Sequence, residues 1–434
     1  MPLAPLASIL RADGGRRIAW WESLLVLLGA SCVAFFRLGR EALDGKVWAE
    51  DGSTFLHWAL HSNVLTGTFE PYAGYGHLLP RLQAETLSWL PVTWYGLALN
   101  LTAAATQGAV ALLAYHVVNS RSSFRATPVF AALAVVAVPV GSEVVDSIAN
   151  DQWFLLIGGT LAPLWAPRRL PGKLLSVVTI AAVAGSCPFG FLCVAIGVAV
   201  WLVSRDRAAL VVAAAGLAGG LFQLVVIVTS PPRGPTPSSP DSDLVAGYLR
   251  RVLGDGVLGT WRHDDPLSTS VVAGCGVLLL MVAATVHVAR RGRGAALVVP
   301  ALLVGVSVVL YAAPILISHA PTNHTLMSGR YAVAPVALLL IAVALVADAS
   351  VPTGGFSLPD LGAVAAGVLV VAALFAMVSS WQVPSEDPRR SAPGWQEQIE
   401  IARDRCEGRP EGTVQNIEIS PPGWLVPLTC RELR

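Results

Sequence analysis

Apolar runs long enough to cross a bilayer recur along the whole chain and are separated by short polar segments. A helix needs about 20 predominantly apolar residues to cross roughly 30 Å of hydrocarbon. The runs predict eleven spans, at residues 18–36, 92–118, 127–145, 153–165, 174–185, 188–203, 208–229, 268–289, 295–317, 331–347 and 361–380. The pattern therefore predicts an all-α polytopic membrane protein with about 11 transmembrane helices, external juxtamembrane helices and a short external C-terminal tail.

Composition agrees with this class of protein. Hydrophobic residues make up 54% of the 434 residues and charged residues only 13%, and the mean hydropathy is +0.62. Soluble domains carry roughly twice that share of charged residues. The net charge of +1 shows no basic surplus, so we expect no nucleic-acid partner. Lys46 and Lys173 are the only lysines, and the abundance of Ala, Val, Gly and Arg indicates a GC-rich bacterial genome.

Charges in the short loops predict the orientation of the chain, because cytoplasmic loops carry the excess of Lys and Arg. A cytoplasmic N-terminus places on that side Arg16, Arg17, Arg121, Arg125, Arg168, Arg169, Lys173, Arg205, Arg207, Arg290, Arg291 and Arg293. Of the predicted cytoplasmic loops, only that at 348–360 has no basic residue. We interpret the first apolar run as a retained span, since the N-terminal charges follow the first short apolar stretch instead of preceding it.

This orientation divides the chain into a transmembrane domain at residues 1–380 and an extracytoplasmic tail at 381–434. The external loops lie at 37–91, 230–267 and 318–330, and the C-terminus is extracytoplasmic. All the conspicuous polar clusters then fall on the external face of a bacterial cytoplasmic membrane.

The first external loop contains the segment at 48–81, WAEDGSTFLHWALHSNVLTGTFEPYAGYGHLLPR. Its adjacent carboxylates, Glu50 and Asp51, are candidates for a general base or a metal ligand. Consecutive helical residues point about 100° apart, so the two side chains would not share one role. We prefer Asp51 as the base, with Glu50 as its neighbour. In the alternative interpretation, Asp51 caps a helix that begins near Ser53.

Three further groups on the external face are candidates for substrate or phosphate binding. Tyrosine rings stack on sugars, amides and carboxylates bind hydroxyl groups, and arginine binds phosphate through two hydrogen bonds. The alternatives are tyrosines of an interfacial belt, solvated helix caps and an arginine that reaches the interface. The candidate residues are Tyr72, Tyr75, His77, Arg81, Asn150, Asp151, Gln152, His324, Arg330 and Tyr331.

Six cysteines add one structural expectation. Cys406 and Cys430 lie in the polar tail, where a disulfide between them would stabilise the fold by roughly 3 kcal/mol; the alternative is two free thiols. Cys32, Cys187, Cys193 and Cys275 lie in or next to apolar runs and are expected to pack as small hydrophobic residues. The scattered histidines form no metal-binding pattern.

The many spans, the acidic pair in the first external loop, the amphipathic segment Phe55–Leu60 after it and the small external tail together resemble the C-type integral-membrane glycosyltransferases. Glu50 and Asp51 match the acidic catalytic position of that family, whereas roles for Arg81 and Arg330 are assigned from their chemistry. The short tail departs from larger family members, since it cannot form a full carbohydrate-binding domain.

The resemblance implies transfer of a sugar from a polyprenyl-phosphate donor to a glycan, lipid or protein acceptor of the cell envelope, with inversion. It implies no certain cofactor, although a divalent cation, Mg²⁺ or Mn²⁺, is compatible with it. Membrane lipids are expected partners. Two other functions stay open at this point: a transporter or flippase of a lipid-linked saccharide, and a non-catalytic subunit of envelope assembly.

Overall fold

The computed structural model describes residues 3–12, 16–230, 244–259, 267–318, 329–351 and 361–434. Its described part is mostly helical, with one antiparallel two-stranded sheet near the C-terminus. The helices are α1 Leu3–Leu10, α2 Trp20–Phe35, α3 His57–His61, α4 Val64–Phe69, α5 Leu78–Leu87, α6 Tyr95–Asn119, α7 Ala126–Val136, α8 Asp151–Leu161, α9 Leu170–Ser186, α10 Gly190–Ser204, α11 Arg207–Thr229, α12 Leu244–Tyr248, α13 Gly256–Leu258, α14 Leu267–Arg290, α15 Val298–Ser318, α16 Arg330–Ser350, α17 Leu361–Ser379, α18 Pro388–Ser391, α19 Trp395–Cys406 and α20 Cys430–Leu433.

Seven of the described helical segments are long and apolar enough to cross a membrane, which supports a multi-pass membrane protein. They are Trp20–Ala42, Val92–Asn119, Arg207–Thr229, Thr269–Arg290, Gly294–Ile317, Arg330–Ser350 and Leu361–Ser379. The other four predicted spans fall on shorter helices, α7 to α10, which have between 11 and 17 residues. The number of eleven spans therefore stays a prediction.

Helix α7 ends well before the third predicted span does. The apolar run continues to Val145, but the helix stops at Val136, three residues before Pro139. Gly141 adopts a left-handed conformation (φ +72°), and a Cβ at this position would lie 2.4 Å from a methyl group of Val333. Residues 137–145 therefore form a tightly packed loop at one end of the bundle. Hydropathy does not detect this break because the loop residues are themselves apolar.

Helix α16 lies at the centre of the bundle. Of its most apolar 18-residue window, 89% is buried, whereas the other long helices leave more of their surface exposed. It packs against α15, α7, α8 and α17. A helix that is apolar on every side requires such surroundings. Its first residue, Arg330, lies at the end of the bundle that contains the loop at 137–145.

The C-terminal tail folds onto the loop that follows the first span. Strands β1 (Val414–Ile419) and β2 (Trp424–Thr429) pair with Val414 opposite Thr429. Their buried side chains and those of α19 share an apolar core with the first loop and the start of α6. A disulfide joins Cys406 and Cys430, whose Cα atoms are 5.4 Å apart, and this is the pair expected from the sequence.

Two backbone contacts connect the tail directly to the acidic segment. Ser420 donates its N–H to the carbonyl of Val47 at 3.0 Å and accepts from the N–H of Ala49. The tail also contacts the residues just before α6, where the indole N–H of Trp395 donates to the carbonyl of Val92 at 2.7 Å. The tail therefore helps to position the residues that immediately precede Glu50.

Candidate functional site

The acidic segment, the loop after α7 and the start of α16 meet at one end of the bundle. Gly76 of the first loop donates its N–H to Gln223 near the end of α11 at 3.2 Å, and Leu79 donates to the hydroxyl of Ser186 at the end of α9 at 2.9 Å. Long-range contacts of this kind place residues 50–51, 72–77, 143–153 and 330–331 in one region, which we call the external cluster after the side of the membrane that the sequence predicts for it.

Asp51 is buried within this cluster, with 1% of its surface exposed. Its carboxylate accepts three hydrogen bonds, from the hydroxyl of Ser147 (3.2 Å) and from the backbone N–H groups of Ile148 (3.2 Å) and Ala149 (2.8 Å). Burial raises the pKa of Asp51 to about 7, although the two backbone donors favour the ionised form. The side chain therefore holds the turn before α8 in place.

Glu50 is half-buried, and its carboxylate accepts a hydrogen bond from the hydroxyl of Tyr72 at 3.4 Å. The π-helical turn Asp51–Leu56 begins directly after it, so the two carboxylates point in different directions. Burial, together with the Glu50 charge, raises the pKa of Tyr72 to about 12 and keeps its hydroxyl protonated as a donor. Glu50 is thus the more accessible of the two acidic residues.

Arg330 has Glu143 as its main charged partner, and Glu50 acts on it more weakly. Its backbone N–H donates to Glu143 at 3.0 Å, and its guanidinium lies 3.9 Å from the second carboxylate oxygen of the same residue. The guanidinium also lies over the ring of Tyr331, 5.3 Å from the ring centre. About a third of the Arg330 side chain stays exposed, so it is available to an anionic ligand.

Glu143 is the residue of this cluster that sequence reasoning missed. The hydropathy pattern includes it in the third span, whereas the structure places it in a short 3₁₀ turn, Ser142–Val144, outside the candidate spans. Burial raises the pKa of Glu143, while the Arg330 guanidinium opposes that shift. The available signal was a carboxylate two residues after a glycine in an apolar run that Pro139 already interrupts.

Aromatic rings form one side of the cluster. Tyr72 and Tyr75 exchange backbone hydrogen bonds across a tight turn, in which Ala73 and Gly74 have positive φ. Tyr75 stacks on His77 with the ring centres 4.2 Å apart, and its hydroxyl donates to Gln152 at 3.3 Å. Burial raises the pKa of Tyr75 far above its ordinary value, so this hydroxyl also stays protonated.

A second aromatic contact borders the arginine. Tyr331 packs edge-on against Trp153, with ring centres 5.1 Å apart. Because Trp153 belongs to α8 and Tyr331 to α16, the contact fixes these helices relative to each other at the external cluster. Tyr331 is therefore held between an indole ring and the Arg330 guanidinium.

Arg81 is buried (5% exposed), and its guanidinium lies 5.6 Å from the ring centres of both Phe55 and Trp58. Burial lowers the pKa of Arg81 to about 10, and the charge of Glu70 opposes that shift. None of its contacts among the described residues involves Glu50. The structure therefore places Arg81 next to the aromatic side of the cluster and not beside its carboxylates.

The remaining predicted positions differ in their surroundings. Asn150 donates to the hydroxyl of Ser147 at 3.0 Å, and Asp151, fully buried, accepts from Gln83 at 3.0 Å. Asn150 supports the turn before α8, as Asp51 does, whereas Asp151 connects the start of α8 to α5. His324 lies outside the described residues, as do the neighbouring His319 and Asn323.

Within the described ranges, no group of three or more His, Cys, Asp or Glu side chains could hold a metal ion.

No match was found. Neither the family models, nor the curated proteins, nor the solved structures contain a significant counterpart of this chain.

Proposed function

We propose that this protein transfers a sugar from a polyprenyl-phosphate donor to an acceptor of the cell envelope. The observation that carries the proposal is the presence of a half-buried carboxylate, Glu50, and a partly exposed arginine, Arg330, in the same aromatic-lined region at one end of a bundle of apolar helices. A base and a phosphate-binding cation are the two charged groups that this reaction needs.

The proposal includes the predicted orientation, with eleven spans, a cytoplasmic N-terminus and the external cluster outside a bacterial inner membrane. The separation of charges along the bundle supports it. Arg121 donates to the carbonyl of Leu10 at 2.9 Å, and Arg293 donates to that of Ala349 at 2.7 Å, both at the end opposite the external cluster. A lipid-linked donor suits this geometry because it can approach sideways from the bilayer.

In the proposed reaction, Glu50 accepts the proton of the acceptor hydroxyl as that oxygen attacks the anomeric carbon. The bond between the anomeric carbon and the phosphate oxygen breaks, and its electron pair stays on the phosphate. Attack from the side opposite the leaving group inverts the anomeric configuration. General-base assistance of this kind contributes typically 10²–10⁴-fold to the rate.

Arg330 is proposed to hold the phosphate, whose charge increases as the bond breaks. The hydroxyl of Tyr72 orients the Glu50 carboxylate, and the rings of Tyr75 and Tyr331 offer faces on which a sugar can stack. Asp51 is assigned a positioning role, because all its hydrogen bonds go to the turn at 147–149. We therefore assign the base to Glu50, although the sequence favoured Asp51.

The test uses the full chain in proteoliposomes, with a panel of radiolabelled polyprenyl-phosphate pentoses and hexoses and an envelope fraction as acceptor. Release of polyprenyl phosphate measures the reaction. We expect Glu50→Gln to reduce the rate by about 10³-fold without changing the melting temperature. The matched control is Glu85→Gln, another half-buried carboxylate of the first loop, and its rate should equal that of the wild type.

Full activity of Glu50→Gln would overturn the assignment of the base. Transbilayer movement of an intact lipid-linked sugar, without release of polyprenyl phosphate, would instead establish the flippase. If the wild-type chain binds a photoreactive polyprenyl-phosphate probe no better than a neutral polyprenol probe, both lipid-phosphate functions fail and an assembly subunit becomes the better interpretation.

A further inference from the structure

The end of the bundle opposite the external cluster contains a cavity of about 680 Å³ between α2, α6 and the segment that joins α8 to α9. We call it the arginine cavity, because its lining includes Arg16, Arg17, Arg168 and Arg169. The residues of α6 that line the cavity, from Ala109 to Asn119, lie about 20–35 Å from the end where that helix begins. It is therefore separate from the proposed transfer site.

The lining changes from charged to apolar with depth. The arginines lie where α2 begins and before α9, whereas Leu27, Ala109 and Leu112 lie one to two helical turns further into the bundle. Trp20 and Leu27 are separated by about 10 Å along α2, as are His116 and Ala109 along α6. A ligand that fills the cavity must therefore combine an anionic group with an apolar chain.

The positive charges of the mouth are only partly neutralised. Arg16 pairs with Glu22 (2.9 Å) and lies 3.3 Å from the hydroxyl of Tyr115. The side chains of Arg17 and Arg169 are exposed and make no hydrogen bond or ion pair to the described part of the chain. Clusters of basic side chains at the end of a membrane helix attract anionic lipid headgroups.

Contacts between the three elements hold the cavity in shape. His116 of α6 stacks on Trp165, with ring centres 4.8 Å apart and ring planes 17° apart, and its Nε2 lies 3.1 Å from the hydroxyl of Ser23 in α2. Gly172 permits this arrangement, since a Cβ there would lie 2.6 Å from the Trp165 ring. The walls are thus built by the fold and do not depend on a ligand.

We propose that the arginine cavity binds an anionic phospholipid of the surrounding membrane. Its phosphate lies among Arg17, Arg168 and Arg169, and one acyl chain extends along Leu27 and Leu112. A soluble phosphate or a nucleotide would use the arginines but leave the apolar wall empty. The membrane-embedded depth of the cavity is the reason for assigning it to a lipid.

The experiment titrates the detergent-purified full chain with phosphatidic acid, phosphatidylcholine or inorganic phosphate and counts bound molecules by native mass spectrometry. Phosphatidic acid should bind one to one, and the other two should not. The variant Arg17→Gln/Arg168→Gln/Arg169→Gln should weaken binding on the order of 100-fold, or about fivefold per arginine. Its matched control is Arg125→Gln/Arg205→Gln/Arg207→Gln, which removes three exposed arginines of the same end that do not line the cavity.

A second pair of variants tests the apolar wall while keeping every arginine. Ala109→Trp and Leu27→Trp each fill the deeper part of the cavity, and either one, if its melting temperature matches the wild type, should abolish phosphatidic acid binding. Wild-type affinity in a folded filling variant would overturn the proposal. Equal losses of phosphatidic acid affinity in both arginine triples would also overturn it, because they indicate unspecific attraction. Binding of inorganic phosphate as tight as that of the lipid would overturn it as well.

Discussion

The two ends of the helix bundle use charged residues in opposite ways. In the external cluster, charges of both signs lie close together, and most of the carboxylates are buried. Arg389 of α18, which lies beside this cluster, is the extreme case: it is 1% exposed, lies 3.0 Å from Asp387, donates to the carbonyls of Ser142 and Val145, and lies over the ring of Trp48. At the arginine cavity the charges are of one sign, and the outer ones are exposed.

This difference separates two roles of charged residues: fixing the orientation of neighbouring groups and attracting ligands. A buried ion held by four partners fixes the geometry of its neighbours but destabilises the fold when a partner is lost. An exposed arginine without a partner contributes little to stability and acts on ligands through its field. We therefore expect substitutions of the fully buried ions in and beside the external cluster to change folding, those of the partly exposed Glu50 and Arg330 to change chemistry, and those at the arginine cavity to change lipid binding alone.

The strongest contrast should come from two arginine substitutions of the same kind. Arg389→Gln should lower the free energy of unfolding by about 3–5 kcal/mol, because it leaves Asp387 buried without its cation. Arg169→Gln should change it by less than about 0.5 kcal/mol. Thermal and denaturant unfolding in one detergent measure both. Similar losses in the two variants would contradict the distinction between the two ends.

Asp51 should make the stability of the external cluster depend on pH. Burial raises its pKa from the ordinary 3.8 to about 7, so the folded state binds this proton more tightly than the unfolded state does. The resulting stabilisation is complete below about pH 4 and is lost as the pH rises to about 7, by up to about 4 kcal/mol. Asp51→Asn cannot ionise, so its unfolding free energy should lack this decrease.

The control for that measurement is Asp404→Asn, which changes an exposed aspartate of the tail and should leave the pH dependence of the wild type unchanged. If Asp51→Asn shows the same decrease as the wild type between pH 4 and 7, then Asp51 is ionised throughout, and its hydrogen bonds from Ile148 and Ala149 outweigh the effect of burial.

The disulfide should connect the stability of the tail to that of the segment at 47–52, which contains Glu50 and Asp51. Cys406→Ser/Cys430→Ser should lower the free energy of unfolding by about 3 kcal/mol, since it frees a loop closed by a sequence separation of 24 residues. Because Ser420 bonds to Val47 and Ala49, hydrogen exchange at residues 47–52 should also increase. Increased exchange confined to residues 406–430 would show that the tail and the loop unfold independently.

Much of the bundle could be predicted from the sequence, because a membrane span is recognised by composition alone. The end of α7 could not, since Pro139 and Gly141 interrupt the helix within a run that stays apolar to Val145. Glu143 was consequently hidden inside a predicted span. Hydropathy averages over a window, whereas the position of a helix end depends on one or two residues and on what they pack against.

The acidic pair shows a second limit. The sequence identifies Glu50 and Asp51 as neighbours but does not specify which side chain faces the protein. That choice depends on the turn at 147–149, about 100 residues away, whose N–H groups donate hydrogen bonds to the Asp51 carboxylate. The contact between Ser420 and Val47 joins residues that are still further apart in the sequence, and no local pattern indicates it. Long-range packing therefore decides which carboxylate is accessible.

The smallest effect should come from a substitution that keeps the charge of Arg330 and changes only its shape. Arg330→Lys should reduce the rate of transfer about tenfold and Arg330→Gln about a hundredfold, because lysine retains the cation but lacks the planar pair of donors that matches a phosphate. The backbone N–H of residue 330 still reaches Glu143 in both variants, so the helix start should be preserved. Steady-state kinetics with the donor varied give the rates, and melting temperatures equal to the wild type confirm the fold. If Arg330→Gln transfers sugar at the wild-type rate, the arginine serves only as the partner of Glu143, and the phosphate must be held elsewhere.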